Sequence, residues 1–598
     1  MKHGVKVAGA LVLSVAAACS SESRDVDYDN GAGPGSGSGG TGSSLDPGGE
    51  PIPVPEPETE LDRAFRVPVV SGRWVWTANP ISGRVALIDA KSFAIKTALA
   101  GAGPTYLAAL PAPKGGSKVL VINVQSRDAT LLSASEADDD VEVLATLPLH
   151  AGANSWAVNP NGRFAIAWTD ASLEAKPDPS QGFQDITVLD LGRDEPTARR
   201  LSVGYRPSRI FMDDDGRYAY VVSEAGIDVL DLEAKGGAIV EREVELSASP
   251  ARDTARRDVS VTPDGTRAFV RRDGKDYVTV VDLEQGGFKD IQLPGVITDL
   301  DLSADATLAI AIVREPTLAA GDAAAGVGSG GEAGQPNEGG GAGASGGDGA
   351  QSGGEGGALG GAGDGGAGPG QQPPPRSMAV LLPVASVLEA PGVYEQVLLP
   401  ALFGSVELGE SSETALLYSN ATPSAHLTLL RLAPSEALAH RTLDLKLPVF
   451  SAASSPDGAH AIALLKPSVG SALPGAFAVV PVARNLPAKI QGTQAATVPA
   501  DLATATAAMV AIGDTRALVT VTDGVATHRA YLARMPELIV DAFELASRPL
   551  PHASGLVPDA NQAFIAQEHP EGRITFIDLA TGDVHTLTGF ELSTQVKQ

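Results

Sequence analysis

The sequence predicts an all-β protein, a β-propeller of four-stranded antiparallel blades, and three observations predict it. The stretch Val259 to Leu283 holds two alternating apolar runs and a β-branched third, parted by turns at Pro263-Asp264-Gly265 and Asp273-Gly274. Three strands thus fit in about 25 residues, too many turns for helices. Copies of this unit recur every forty-odd residues, the period of a propeller blade. The composition, 43% hydrophobic but only 5% aromatic with 68 Gly and 43 Pro, suits many short strands divided by turns.

The chain opens with Lys2 and Lys6, an apolar segment from Val7 to Val15, then Ala16-Ala17-Ala18-Cys19-Ser20. This resembles a bacterial lipoprotein signal, with Ala16 where that family usually has Leu. The resemblance implies cleavage before Cys19 and lipidation of its thiol. An ordinary secretory signal with an incidental cysteine is the alternative. Cys19 is the chain's single cysteine, so the mature protein forms no internal disulfide even in an oxidising compartment. The apolar run is too short to span a bilayer as a stable helix.

Residues 1–18 are thus the expected signal, and 19–60 a Gly-, Ser- and Pro-rich tether with little to bury, stiffening in P-I-P-V-P-E-P-E from Pro51. Repeats fill 61–316. They include Trp74–Ala78 with Arg84–Asp89, Trp156–Trp168 with Ile186–Leu191, and Ile210–Val222 with Ile227–Leu232. The sixth repeat, Leu300–Val313, is interrupted by a Gly-, Ala- and Ser-rich tract at 317–376 and resumes at Met378–Val384. We expect a disordered loop insertion, since closure entropy rises only logarithmically with length. A linker between two domains is the alternative. More degenerate repeats fill 377–598, and the last, Leu556–Ala566 with Arg573–Gly582, recovers the pattern. Seven or more blades are expected, about ten units being countable.

Corners at Asn161-Gly162, Asp215-Gly216, Pro263-Asp264-Gly265 and Asp457-Gly458 should join first to second strands. Asp89, Asp190, Asp231, Asp282 and Asp578 follow third strands, where a short carboxylate can accept bonds from the next amides. With these residues the patterns W-V-W-T-A-N…G-R-V-A-L-I-D and V-T-P-D-G-T-R-A-F-V…V-T-V-V-D-L resemble the YVTN family of bacterial repeats, in the WD40-like propeller superfamily. The resemblance is good from Arg73 to Val313 and fades from Met378 to Gly582. It implies a seven-bladed ring, from which about ten units depart.

A net charge of -28 argues against nucleic acid or anionic lipid headgroups as partners. No Cys-x-x-Cys-His, His-Glu-x-x-His, Gly-x-Ser-x-Gly or phosphate-loop motif is present. Asp213-Asp214-Asp215 and Asp138 to Asp140 invite a calcium reading, but lack the EF-hand spacing and distal Glu and read as solvated turns. No catalytic residue, metal ligand or cofactor is assigned. Innermost strands start near the central channel of a propeller, which would place Arg209, Arg257, Asp258 and Asp299 near one mouth.

The expected function is a noncatalytic binding or scaffolding lipoprotein, anchored to the outer membrane of a Gram-negative bacterium on its periplasmic or cell-surface face. Its expected partner is an envelope protein or glycan. A lactonase-like hydrolase, using channel carboxylates or a bound metal, is the alternative.

Overall fold

The computed structural model describes residues 68–314 and 376–589, except 113–114, 136–139, 172–182, 248–254, 410–412, 433–439, 468–472, 483–485, 498–507, 526, 546–549 and 568–571. Cys19, the tether and nearly all of the Gly-rich tract lie outside the described residues.

Among the described residues there are ten four-stranded antiparallel sheets, each built from consecutive strands in the order 1-2-3-4. They run Val69–Leu99, Pro104–Pro148, Ser155–Ser202, Arg209–Glu245, Arg257–Gln292, Val296–Leu398, Ser405–Asp444, Val449–Thr493, Ala508–Glu544 and Pro551–Thr588, here blades 1 to 10. One short 3₁₀ turn, Pro558–Ala560, stands beside them. The fold is a ten-bladed β-propeller, wider than the seven-bladed ring the resemblance implies.

Burial explains the sequence pattern strand by strand. The two middle strands of a blade are covered on both faces by neighbouring blades, so Phe164–Trp168 and His460–Leu465 are buried at every position. Fourth strands face outward and read polar or mixed, as in Gly287–Gln292, exposed at five of six positions. Alternation lets one strand serve two interfaces: in blade 1, Trp76 packs toward Leu107 and Val121 of blade 2, while Val75 packs toward Val557 and Phe564 of blade 10.

That last contact closes the ring. Ten apolar clusters each straddle one interface between consecutive blades, and the cluster of Val75, Ile88, Val557, Phe564, Ile574 and Phe576 joins the last blade to the first. Among the described residues no sheet mixes strands from the two ends of the chain. The seam is therefore held by side-chain packing rather than by strand exchange.

Blade 6 spans the Gly-rich tract. Its second strand, Leu308–Arg314, pairs with its third, Ser377–Pro383, over the full length, from Leu308 opposite Pro383 to Arg314 opposite Ser377. The tract thus leaves and re-enters one hairpin.

The corners behave as their residues dictate. In blade 5, the Asp264 carboxylate accepts bonds from the Thr262 hydroxyl at 2.6 Å and the Thr266 amide at 3.0 Å. Ser303 with Asp305 and Ser455 with Asp457 repeat the device in blades 6 and 8. Gly265 has φ +68°, and a Cβ there would lie 1.9 Å from the Tyr220 hydroxyl of blade 4, so only glycine fits. At the third-strand ends, Asp89, Asp190, Asp231, Asp282 and Asp578 accept from amides two or three residues on. Arginines at the start of the second strands pair with four of these carboxylates, Arg73–Asp89 at 2.9 Å, Arg163–Asp190 at 3.9 Å, Arg217–Asp231 at 3.1 Å and Arg267–Asp282 at 3.4 Å.

Candidate functional site

First strands of neighbouring blades touch one another at most of the interfaces between blades, so they form the inner wall of the ring. Each obeys one rule of orientation. In blade 4, Ile210 and Met212 pack back toward blade 3, which turns Arg209 and Phe211 toward blade 5. In blade 5, Val259 and Val261 pack back, which turns Asp258 forward. In blade 6, Leu300 and Leu302 pack back, which turns Asp299 and Asp301 toward blade 7. In blade 7, Val406 and Leu408 pack back, which turns Ser405 and Glu407 toward blade 8. Four consecutive blades thus place Arg209, Asp258, Asp299, Asp301 and Glu407 along one sector of the wall.

Specific bonds fix this row. Arg209 Nη1 lies 3.9 Å from Asp258 Oδ1, and its guanidinium sits 4.8 Å from the Phe211 ring centroid. Asp258 Oδ1 also accepts from the Val259 amide at 2.9 Å. The first strand of blade 6 bulges between Ile297 and Asp299, which re-aims the side chains after it. Asp299 then accepts from the Leu300 amide at 2.9 Å and, across the interface, from the Val406 amide at 2.8 Å. Arg271, buried on the second strand of blade 5 directly opposite Asp258, donates to Asp273 at 2.8 Å.

The electrostatics follow from crowding like charges out of water. Burial pushes the Asp299 carboxyl up to about 7, with Asp258 adding to the rise, while Arg271 and the Val406 and Leu300 amides oppose it. Burial also holds Asp301 well above the carboxylate range, reinforced by the charges of Asp299, Glu407 and Asp258 and opposed by Arg209. Burial and the Asp299 charge push Glu407 up to about 8. Asp301 and Glu407 keep partial solvent access while protein surrounds them, as befits groups on a channel wall. For Arg271, burial works against the charged form, but Asp299, Asp273 and Asp258 outweigh it and raise the guanidinium above its ordinary value. Near neutral pH Asp299, Asp301 and Glu407 therefore retain protons that they can release when a cation approaches.

Of the four residues placed near one mouth by the sequence, the structure brings together Arg209, Asp258 and Asp299. Arg257 also opens a first strand, and its guanidinium donates to the carbonyls of Ser223, at 3.0 Å, and Glu224, which braces a loop of blade 4. Asp301, Glu407 and Arg271 are the members that sequence reasoning missed. For Asp301 and Glu407 the signal was present as Asp-Leu-Asp and Val-Glu-Leu alternation, in which the polar face of an innermost strand is channel wall rather than outer surface.

Asp213 is a turn residue as expected, but a buried rather than a solvated one. Its carboxylate accepts from the Tyr218 amide at 3.0 Å, while Asp214 and Asp215 are exposed. Of Asp138 to Asp140 only Asp140 lies among the described residues, and it is exposed. Among the described residues no three His, Cys, Asp or Glu side chains gather as a metal cage, and no helix is long and apolar enough to cross a membrane.

No family model matches the chain, and no curated protein matches it. Among solved structures it is similar to AztD from Citrobacter koseri, at 12% identity and a TM-score of 0.36, over 71% of this chain and 93% of that one. It is similar to the dihydro-heme d1 dehydrogenase NirN at 12% identity and a TM-score of 0.36, over 72% of this chain and 73% of that one. It is also similar to the hydrazine synthase of Kuenenia stuttgartiensis at 15% identity and a TM-score of 0.28, over 58% of this chain and 88% of that one. Likenesses this distant carry no functional argument.

Proposed function

We propose that the chain is an exported, lipid-anchored member of the YVTN-type propellers, and that its ring is a binding module for an envelope protein or glycan. The observation that carries the reading is the row of inward ionisable side chains on blades 4 to 7, gathered where a propeller presents a concave surface. Elsewhere the ring's turn carboxylates are committed to backbone amides. The anchor rests on Lys2, Lys6 and the Ala16-Ala17-Ala18-Cys19 sequence, with the outer membrane of a Gram-negative cell as the expected site. Cys19→Ser should release the protein from the membrane fraction, and a variant that stayed there would contradict the anchor.

The binding reading is tested by immobilising the full chain and an Asp301→Asn/Glu407→Gln double variant, then passing over both a detergent extract of the source envelope. A component kept by the first and lost by the second supports the reading, and identical retention contradicts it. A hydrolase has one observation in its favour: carboxyls at about 7 and about 8 lie where a general acid works at neutral pH. Lactone or ester turnover lost in Asp299→Asn would favour that reading.

A further inference from the structure

We infer that the loop face of blades 1 and 2 lies against a lipid bilayer of zwitterionic headgroups, with Ile81, Leu99 and Val124 as the side chains that enter it. The inference rests on the anchor reading above and names the face of the ring that the anchor turns to the membrane.

Strand order assigns the two faces. Each blade is a meander, so the start of its first strand, its second-to-third turn and the end of its fourth strand share one face, the loop face. First-to-second corners and third-to-fourth turns share the other, where Asp264, Asp282 and Asp578 hold the backbone. The chain enters blade 1 at Val69, on the loop face. Cys19 and the sequence that joins it to Val69 therefore arrive on that side.

The loop face is not uniform. In blades 4 and 5 its second-to-third turns, 223–225 and 273–276, carry Glu224, Asp273, Lys275 and Asp276, and the fourth strands end in Glu245 and Gln292. Blades 1 and 2 break this rule. Ile81 in the turn 80–83 is 96% exposed, Leu99 at the end of the fourth strand of blade 1 is 60% exposed, and Val124 in the turn 124–127 is 41% exposed. Nothing local asks for isoleucine at 81: the turn is made by the Asn79 carboxamide oxygen, which accepts from the Ile81 amide at 2.9 Å and the Ser82 amide at 3.1 Å. A polar side chain at 81 would leave those bonds as they are.

Backbone bonds join the three side chains into one surface. The Ala100 amide donates to the Gly83 carbonyl at 3.1 Å, the Val124 amide to the Gly103 carbonyl at 2.9 Å and the Gln125 amide to the Ala102 carbonyl at 3.1 Å. The Ala102 amide donates to Ser126 Oγ at 2.9 Å. Between the apolar tips the chain is Ala100-Gly101-Ala102-Gly103, and the stretches 80–83, 99–103 and 124–126 hold no charged residue in a chain with 72 Asp and Glu. Arg84, opposite Leu99, and Arg127 flank them. The neighbouring Asp128 carboxylate is engaged by Asn123, whose carboxamide donates to it at 2.6 Å.

Fixed apolar tips rimmed by arginines match a bilayer surface, where the tips reach the acyl boundary and the guanidiniums stay among the phosphates. Zwitterionic headgroups are those that a chain of net charge -28 approaches without repulsion. A patch of three tips is too small to hold a free protein on lipid. Tied through Cys19, it meets the bilayer as an intramolecular contact at high effective concentration.

The test uses residues 19–598 with Cys19→Ser and an N-terminal hexahistidine tag, held on vesicles of phosphatidylethanolamine and phosphatidylcholine by a chelator lipid. A polarity-sensitive fluorophore is attached at Ile81→Cys, at Val124→Cys and, as control, at Lys91→Cys, an exposed position in the third-to-fourth turn of blade 1. The labels at positions 81 and 124 should shift to the blue and be quenched by nitroxide-bearing lipid at least twice as strongly as the label at 91. Leu99→Asp should bring the label at 124 to the control value without loss of stability, since Leu99 is exposed. Labels at 81 and 124 that behave as the control does would overturn the inference. So would labels that respond to lipid-free envelope protein and not to vesicles, which would make the patch a protein site. The tag replaces the acyl chain, so the two readings fail separately: dry tips with a native chain released by Cys19→Ser keep the anchor and remove the docking, and quenched tips with a Cys19→Ser chain that stays in the membrane fraction do the reverse.

Discussion

Phe576→Ala tests whether the ring is closed by packing alone. Phe576 is 0% exposed on the third strand of blade 10, within the cluster shared with blade 1. Its ring centroid lies 5.5 Å from that of Phe93 of blade 1 and 6.5 Å from that of Phe564, and Phe93 in turn stacks on His585 at 4.2 Å. Truncation removes the ring from both sides of the seam. A buried Phe→Ala change costs about 3–5 kcal/mol, which lowers Tm by about 4 °C in a domain of this size. Phe477→Ala is the matched control, since Phe477 is also 0% exposed and makes one aromatic contact, with Tyr531 at 5.6 Å, across the blade 8–blade 9 interface. Both variants should lose similar stability. Hydrogen exchange read by mass spectrometry should separate them: Phe576→Ala should raise exchange in Val69–Leu99 and Pro551–Thr588, the two blades free to part at the seam, while Phe477→Ala raises it only around its own interface. Equal exchange at the seam in both variants would refute the argument that closure lacks any covalent or strand-exchange support.

The raised carboxyls make stability depend on pH. Asp299 moves from 3.8 to about 7 and Glu407 from 4.5 to about 8 on folding. The folded chain therefore holds protons that the unfolded chain has lost; this contribution is complete below about pH 4 and disappears as pH rises through 7 to 8. Thermal melts should show Tm falling between pH 5 and pH 9, with Glu407→Gln gaining about 2 kcal/mol at pH 9 and nothing at pH 5; an equal gain at both would contradict the burial of that charge. Gly265→Ala should cost more than the roughly 1 kcal/mol of an ordinary left-handed glycine, because its Cβ would meet the Tyr220 hydroxyl at 1.9 Å, and urea denaturation of Gly265→Ala and Gly265→Asn would read the loss. Asp282→Ala removes bonds to the Glu284 and Gln285 amides and the pair with Arg267; a loss of about 1–2 kcal/mol is expected, and unchanged stability would show the turn to be self-supporting.

The local grammar of the blade was legible in the chain itself. Pro263-Asp264-Gly265 could only be a tight corner, and Asp89, Asp231 and Asp282 could only be short acceptors at strand ends, because turn geometry and Asx bonding are properties of a few adjacent residues. The continuity of Leu308–Arg314 with Ser377–Pro383 across about sixty residues was readable for the same reason, since each half lacked what the other supplied. Blade number was not readable in this way. Apart from the Asp457-Gly458 corner, the weak units between Met378 and Ala542 carry little turn chemistry, and whether ten units make one ring or two depends on which blade meets Val75 and Ile88, a contact about 480 residues distant in sequence, settled by complementarity of two apolar faces.

The carboxylate sector divides along the same line. Arg209, Asp258 and Asp299 were found by their place at the start of first strands, a rule that sequence order supplies. Asp301, Glu407 and Arg271 were not, because a strand's alternation shows that two faces differ without saying what each face meets. Only packing of Leu300 and Leu302 against blade 5, and of Val406 and Leu408 against blade 6, turned the remaining side chains onto the inner wall. The sequence by itself thus determined strands, corners and a repeating scaffold, through interactions within a blade. The tertiary structure decided the ten-blade closure and the gathering of four carboxylates, because both arise between blades, where burial and mutual repulsion depend on neighbours no single repeat encodes.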